Sequence, residues 1–395
     1  MKIVAINSGK HGSTGNIMLQ IAKLARKNGH KVYTFSGPKT NNSTVEDHSI
    51  IGNKLSYFMH RLLASVTGFS ECFSLFLTLK FLKKLNAIKP DVIHMHNLHG
   101  WYINLPLLFK YIKKNNIKVV WTLHDCWAFT GCCAHFDLIK CEKWKSQCCN
   151  CSQYKEYPSS FMDNSKKMYK LKNKWFSDVK DLTIVTPSQW LADLVKLSFL
   201  NKYPIKVINN GINLEIFKPV DSDFRKKYQL EDKFMILGVA FGWGYKKGLD
   251  VFIELSKRLD DKYKIVLVGT DDNIDRQLPP NIISIHRTHN QKELAEIYTA
   301  ADVFVNPTRE DTYPTVNMEA LSCGTPIITF NSGGSPEILD NRTGFVISQD
   351  DIEELISSIE NICQNKPFKV QDCVEKAIEF NAVEKFETYV TLYEL

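Results

Sequence analysis

Asn306-Pro-Thr-Arg-Glu-Asp-Thr-Tyr-Pro-Thr-Val-Asn-Met-Glu-Ala-Leu-Ser-Cys-Gly-Thr-Pro326 lies between two apolar runs, Val303–Val305 and Ile327–Ile328. The runs read as strands, and the segment between them as a polar loop feeding a short helix. That helix opens near Pro314 or Thr315 and stops at Gly324. Val316, Ala320 and Cys323 recur at helical spacing and are expected to face a sheet, with Thr315, Glu319 and Ser322 on another face. Amides at the start of such a helix attract phosphate. A carboxylate just behind them, Glu319, suits sugar or ribose hydroxyls. An ordinary strand–loop–helix with a surface Glu has the same local pattern, so the surrounding chain must decide.

Working outward, the second half repeats this alternation. Phe234–Ala240 reads as a strand, followed by the loop Phe241-Gly-Trp-Gly-Tyr-Lys-Lys-Gly248 and a helix carrying Val251, Phe252, Leu255 and Leu259. Strands at Lys264–Val268 and Ile282–Ile285 and a helix over Gln291–Tyr298 come next. Lys246 and Lys247, just off the first strand of this array, are placed to meet a diphosphate, although solvated lysines at a helix start read the same way. The loop His286–Asn290 is the expected contact for a nucleotide base.

The first half opens the same way. A strand over residues 2–7 leads into a loop with Gly9, Gly12 and Gly15, a helix with Ile17, Ile21, Leu24 and Ala25 on one face, and a strand over 31–35. The G-x2-G-x2-G spacing is not that of a dinucleotide fingerprint, and no acidic residue ends the second strand to hold an NAD ribose. Close approach of some ligand to the backbone at Gly12 and Gly15 remains the expectation. Two further strands, Asp91–His96 and Lys118–Leu123, deliver His94, His96 and His124-Asp125 at their carboxyl ends, where open α/β sheets bind ligands. His94 also fits a purely structural role. Residues 55–85, rich in Leu and Phe, read either as a core helix or as a helix resting on a membrane with Lys80, Lys83 and Lys84 near lipid phosphates.

A chain of 395 residues exceeds one ordinary core, and its 44% apolar content is that of a globular protein. It holds no uncharged apolar run of about 18 residues, and its start turns polar too soon for a signal peptide, so a cytoplasmic protein is expected. The net charge of +7 conceals an asymmetry. Residues 1–215 carry 30 Lys and Arg against 13 Asp and Glu, whereas 216–395 carry 20 against 30. This supports two domains, the first meeting anionic partners. The lysines are scattered and form no nucleic-acid motif; an anionic membrane surface or a phosphate-linked acceptor fits at least as well. Seven of the 11 cysteines fall between Cys126 and Cys151. In a cytoplasmic chain such clustering favours a metal over disulfides. Cys133, Cys141, Cys148 and Cys151 would make a tetrahedral structural zinc site, with free thiols in a loop as the alternative.

Taken together, these pieces resemble the family 4 glycosyltransferases, retaining enzymes of the GT-B fold. The resemblance spans nearly the whole chain: the glycine loop, His124-Asp125, Pro187-Ser188, Asn210-Gly-Ile-Asn213, Lys247-Gly248, residues 306–326, Ser332-Gly-Gly-Ser-Pro-Glu337 and Thr343-Gly-Phe345. The cysteine insertion is similar to that of a subgroup associated with capsule, exopolysaccharide or O-antigen assembly. The resemblance implies two Rossmann-like β/α/β domains facing a central cleft. The first, 1–217, holds the Cys-rich insertion 126–151 on the acceptor side, and 218–233 is the linker. A nucleotide-sugar domain follows over 234–375, and a C-terminal helix, 376–395, crosses back to the first domain.

The family's E-x7-E pattern falls on Asp311 and Glu319, with Asp in place of the first Glu. By resemblance Glu319 would hold the donor ribose, the stretch Tyr313, Pro314, Thr315 and Val316 would face the diphosphate with the amides near it, and His124 would contact the donor sugar. Lys246 and Lys247 would neutralise the departing diphosphate, without the bidentate fork that an Arg supplies. The implied reaction moves a hexose-type sugar from a UDP- or GDP-sugar to a saccharide or polyprenyl-phosphate-linked glycan, with retention and with no catalytic metal or other cofactor. The competing readings are a GT-B nucleotide-sugar epimerase and a catalytically silent glycan-binding subunit. The protein is expected at the inner face of the cytoplasmic membrane, on an anionic surface, without nucleic acid.

Overall fold

The computed structural model describes residues 1–38 and 47–395 and divides into two compact units, Met1–Asn209 with Phe386–Leu395, and Asn210–Lys385. In the first, β1 (Lys2–Asn7), α1 (Ser13–Lys27), β2 (Lys31–Ser36) and β3 (His48–Ile50) are followed by two helices, α2 (Lys54–Thr67) and α3 (Leu75–Ile88). Then come β4 (Val92–Met95), α4 (Leu105–Asn115), β5 (Lys118–Thr122), α5 (Ser165–Phe176), β6 (Leu182–Thr186), α6 (Gln189–Lys196) and β7 (Ile205–Val207). The seven strands form one sheet in the order β3-β2-β1-β4-β5-β6-β7, all pairs parallel. Ile3, Val4, Ile6, Ile93, Val119, Val120 and Ile184 are fully buried. Such near-continuous apolar strands are what a parallel sheet covered on both faces requires.

The second unit contains α7 (Phe224–Lys227), β8 (Phe234–Val239), α8 (Leu249–Arg258), β9 (Tyr263–Val268), α9 (Asp272–Asp275), β10 (Ile282–Ile285) and α10 (Gln291–Ala300). It continues with β11 (Val303–Asn306), α11 (Thr315–Ser322), β12 (Ile327–Phe330), β13 (Gly344–Ile347), α12 (Ile352–Asn365), α13 (Val370–Ile378) and the start of α14 (Ala382–Glu394). Its six parallel strands run β10-β9-β8-β11-β12-β13. In each sheet the chain reverses direction of growth between two central strands, β1/β4 and β8/β11. The carboxyl ends of such strand pairs are where doubly wound sheets hold ligands.

Several sequence expectations change in detail. Residues 55–85 are two helices, separated at Gly68, which adopts φ +71° as the C-cap of α2. Of the two, α3 contributes more to the core, through Phe81, Leu82 and Leu85, and α2 adds Ala64. The break between units falls at Asn209/Asn210, ahead of the expected segment 218–233. That segment is packed into the second unit. Phe224 and Leu230 join its core, and Arg225 reaches the Ala300 carbonyl and, at 2.5 Å, the Asp302 carboxylate. The expected helix 376–395 is split at Glu379–Asn381. Phe380 is buried in the second unit's core, whereas Tyr389 and Tyr393, both 2% exposed, are buried in the first.

Candidate active site

In the second unit, the reversal between β8 and β11 brings two short loops together. The turn after β8 carries Lys246 and Lys247 and ends at Gly248, whose φ of +73° and contact with Pro307 leave no room for a side chain: a Cβ would lie 2.5 Å from the proline ring. The loop after β11 carries Thr308 to Pro314. Lys246 Nζ lies 2.9 Å from Glu310 Oε2, and Lys247 Nζ lies 2.7 Å from Asp311 Oδ2. The loops are fastened by Arg309, which sequence reading missed. Its backbone amide donates to the Lys246 carbonyl at 2.9 Å. Its guanidinium donates to both oxygens of Asp250 at 2.8 Å and to Asp350 at 2.7 Å, and it also donates to the Tyr245 carbonyl. It stacks 3.9 Å from the Tyr245 ring centroid. These carboxylates hold the buried guanidinium well above its already high range. Only the Asp at the start of α8 hinted at this in the sequence.

The helix α11 begins where the sequence places it, with Pro314 as N-cap, and ends at Cys323 before Gly324 at φ +84°. The Tyr313 amide donates to Asp311 Oδ1 at 3.2 Å, so the loop acid also shapes the entry to the helix. The expected two-faced pattern is replaced by burial on most sides: Met318 and Leu321 are fully buried and Val316 is only half-buried. Glu319 stays half-buried and accepts a 3.1 Å hydrogen bond from the Tyr298 hydroxyl. Burial raises its carboxyl to about 7, against a smaller lowering by that hydrogen bond. The Ser332–Glu337 stretch closes over the loop. Gly333, at φ +55°, sits so close to the Asp311 carbonyl that a Cβ would lie 1.7 Å from its oxygen.

In the first unit, Gly12 is the N-cap of α1 at φ +81°, and a Cβ there would meet nothing within 4 Å. Gly15 serves packing: a Cβ would lie 2.5 Å from the Lys10 backbone. Asn7, at the end of β1, donates to the Gly9 carbonyl at 2.8 Å and accepts from the Asn97 amide at 3.0 Å, tying the glycine loop to the one after β4. Beyond β5, His124 Nε2 is 3.0 Å from His96 Nδ1, with the two rings stacked at 13°. Asp125 pairs with His99 at 2.8 Å and accepts from the Trp127 amide at 2.9 Å. Burial lowers His124 to about 4, outweighing the nearby Asp125. Asp125 is held at about 2, because His99 and its other hydrogen bonds outweigh the cost of burial. His94 has the structural role: its Nδ1 is 2.7 Å from the Tyr393 hydroxyl, and its Nε2 is 2.8 Å from Thr122 Oγ1.

The insertion after His124 leans on the fully buried Lys172 of α5. Its ammonium donates to the Trp127 and Thr130 carbonyls at 2.7 and 3.1 Å and lies 3.5 Å from the Trp127 ring centroid. Burial lowers it to about 8. Nothing in the lysine-rich sequence of α5 separates this lysine from its neighbours. Cys132, Cys133, Cys141, Cys148, Cys149 and Cys151 all line one small cavity. The cavity also holds a thiol outside the expected ligand set. Cys132 Sγ, which that set omits, is 3.4 Å from Cys151 Sγ, while Cys148 Sγ accepts the Gly131 amide at 3.1 Å. Among the described residues, the one group of three ligand atoms within 4.8 Å of one another is Asp272, Asp275 and His286, on the surface; no three of the thiols come that close together.

Comparison with known proteins agrees with this architecture. A family model described as Glycosyltransferase Family 4 matches residues 14–216, and one described as Glycosyl transferases group 1 matches residues 232–365. The chain is 28% identical over 275 residues to a putative colanic acid biosynthesis glycosyl transferase, WcaC, of Escherichia coli K12; the match covers 68% of this chain and 66% of that protein. It is 26% identical to an uncharacterized 41.2 kDa protein in the cps region of Klebsiella pneumoniae, across 82% of this chain and 84% of that one. The crystal structure of Anabaena Alr3699/HepE in complex with UDP superposes with a TM-score of 0.69 at 15% identity, covering both chains completely. The two parallel α/β units are those of the GT-B fold.

Proposed function

This chain belongs to Glycosyltransferase Family 4, and we propose on that premise that it transfers a hexose-type sugar from a nucleotide-sugar to a saccharide or polyprenyl-phosphate-linked glycan, in assembly of a capsular, exopolysaccharide or O-antigen polymer. The names of the relatives support the polymer class, and the UDP of the structural neighbour supports the donor class. One observation carries the reading. At the β8/β11 reversal, two lysines stand against two carboxylates directly before the N-terminus of α11, with Glu319 one turn inside that helix.

In this reading the diphosphate of the donor takes the place of Glu310 and Asp311 as partner of Lys246 and Lys247. The amides of Thr315 and Val316, in the first turn of α11, supply further donors. The bond from the anomeric carbon to the phosphate oxygen breaks with its electron pair left on the diphosphate. Two ammonium groups and a helix end stabilise that charge as it grows. Attack by the acceptor hydroxyl from the same face forms the new bond to that carbon with retention, its proton passing to the departing phosphate oxygen, and Asp311 is assigned no nucleophilic role. Glu319, half-buried and held by Tyr298, is the group for the donor ribose hydroxyls, and His124 is the first unit's contact with the transferred sugar. The chemistry asks for no metal. A zinc ion in the thiol cavity would be structural, with Cys132 and Cys151 as the first ligands and Cys133, Cys141 and Cys148 as the remaining candidates. We place the protein on the cytoplasmic side, meeting its acceptor at the membrane.

The deciding experiment is a thermal-shift screen of UDP- and GDP-sugars, followed by transfer assays with Glu319→Ala. A native-state ligand raises the midpoint. Glu319→Ala is expected to weaken that shift and to lower transfer by at least about tenfold, roughly the worth of a hydrogen bond to a charged group. An unchanged transfer rate would refute the site. Nucleotide release that needs no acceptor would favour the epimerase reading instead.

A further inference from the structure

The helix α2 is amphipathic in the wrong sense for a helix that serves only a core. Leu55, Phe58, Met59, Leu62, Leu63 and Val66 recur at i, i+3, i+4, i+7, i+8 and i+11, the stripe that ordinarily faces inward. All six are exposed, from 39% for Leu63 to 70% for Leu55. The positions turned to the protein are His60 and Ala64. The stripe continues onto α3, where Leu75, Phe76 and Leu79 are exposed, Phe76 by 79%. The two helices are joined by His60 Nδ1 and Ser74 Oγ at 2.7 Å.

A third element completes the surface. Phe161 and Met162 are 76% and 55% exposed, and their loop is fastened to the end of α2. The Phe161 amide and the Ser160 hydroxyl both donate to the Ser65 carbonyl, at 2.7 and 2.9 Å, and Asn164 donates to the Thr67 carbonyl at 2.6 Å. Folded monomers seldom expose so large a continuous apolar area without a use for it.

The charges around it choose the occupant. Between His48 and Pro90 the basic residues are Lys54, Arg61, Lys80, Lys83, Lys84 and Lys89, all exposed. The single carboxylate in that stretch, Glu71, is fully buried beneath the Gly100 and Trp101 amides, and around the Phe161–Met162 loop exposed Lys155, Lys166 and Lys167 outnumber exposed Glu156 and Asp163. A second copy of this chain seated on the patch would bring one ring of cations against another, which is repulsive. Lipid phosphates meet that ring with the opposite sign, and acyl chains cover the apolar stripe, as for other helices that lie in a bilayer interface. Among the described residues no helix is long and apolar enough to cross a membrane, so this contact is one of lying on the surface.

We infer that α2, α3 and the Phe161–Met162 loop form a docking surface for an anionic bilayer. This deepens the functional reading above by naming where a lipid-linked acceptor is met, but it rests on its own observations. The test is flotation of the purified full chain with vesicles of phosphatidylcholine alone or mixed with phosphatidylglycerol. Phe58→Glu/Leu62→Glu and Lys80→Glu/Lys83→Glu are compared with the wild type, and unfolding midpoint and nucleotide-sugar thermal shift are measured on the same samples. The wild type is expected to float with the anionic vesicles, and each double variant to lose at least about tenfold in vesicle binding with its midpoint and donor shift kept. A wild type that stays in solution, or variants that float as well as it does, would overturn the inference. So would a wild-type dimer that Phe58→Glu/Leu62→Glu converts to a monomer, which assigns the patch to a second copy. Vesicle binding without any donor shift would leave the docking surface standing and count against the sugar-transfer reading alone.

Discussion

Lys247 and Asp311 show how a residue's meaning depends on what its neighbour can exchange for. Their 2.7 Å pair is only partly buried, and such pairs add little to stability; in the proposed reading the donor diphosphate replaces the carboxylate as partner of the ammonium. Lys247→Ala is therefore expected to lower kcat by about 10²–10³, the usual cost of one group stabilising a developing charge, while thermal unfolding stays within about 1 kcal/mol of the parent. Steady-state transfer kinetics and a melting curve check both parts. A kcat unchanged with only KM raised would reduce Lys247 to a ground-state contact. Lys246, Lys247 and Glu319 stood out because charged side chains after strands and at helix starts are conspicuous, and Asp311 only through the resemblance to the family's E-x7-E pattern. The sequence concealed Arg309, Tyr298 and Lys172. A buried guanidinium, phenol or ammonium is set by partners far along the chain, and local spacing carries no record of them.

At the scale of elements, α14 is the informative one. Its Tyr393 hydroxyl meets His94 at 2.7 Å and its Tyr389 hydroxyl accepts from Thr122 Oγ1 at 3.2 Å, all inside the first unit. Tyr393→Phe leaves a buried imidazole nitrogen without its partner and is expected to cost about 1–3 kcal/mol, read by urea unfolding. The same buried histidine gives a pH dependence. Burial lowers His94 from 6.5 to about 3, so the folded form keeps it neutral while the unfolded chain takes up a proton below 6.5. Stability is then full above that value and falls with acidification toward 3. This one group contributes about 2 kcal/mol of loss between pH 7 and pH 5. Unfolding curves at several pH values are expected to show a slope smaller by about one proton in His94→Gln. The central strands of both sheets were legible, since parallel strands are written as apolar runs. The helix α2 was not, because its stripe has the right period but faces water, and periodicity alone does not say which side the core is on.

For the molecule as a whole, composition already divided the chain by charge, and the two sheets follow that division closely. The exact break did not follow it: residues 218–233 are polar but pack through Phe224, Leu230 and Arg225, and a few anchoring side chains outweigh an overall linker-like composition. The thiol cavity poses a whole-molecule question too, since it caps the insertion held by Lys172. Elemental analysis of protein purified without chelator is expected to give about one zinc per chain, and Cys132→Ser with Cys151→Ser to release it. Metal-free protein with all thiols titratable would return the cluster to ordinary cysteines.

The hydrogen bond from His94 to Tyr393 joins residues 299 positions apart, and it has a consequence for how the protein is made. A ribosome has to synthesise the entire second unit before it supplies the side chains that finish the first. The nascent amino-terminal half therefore waits with His94 and Thr122 uncapped, and the order of synthesis is not the order in which the two units can be completed.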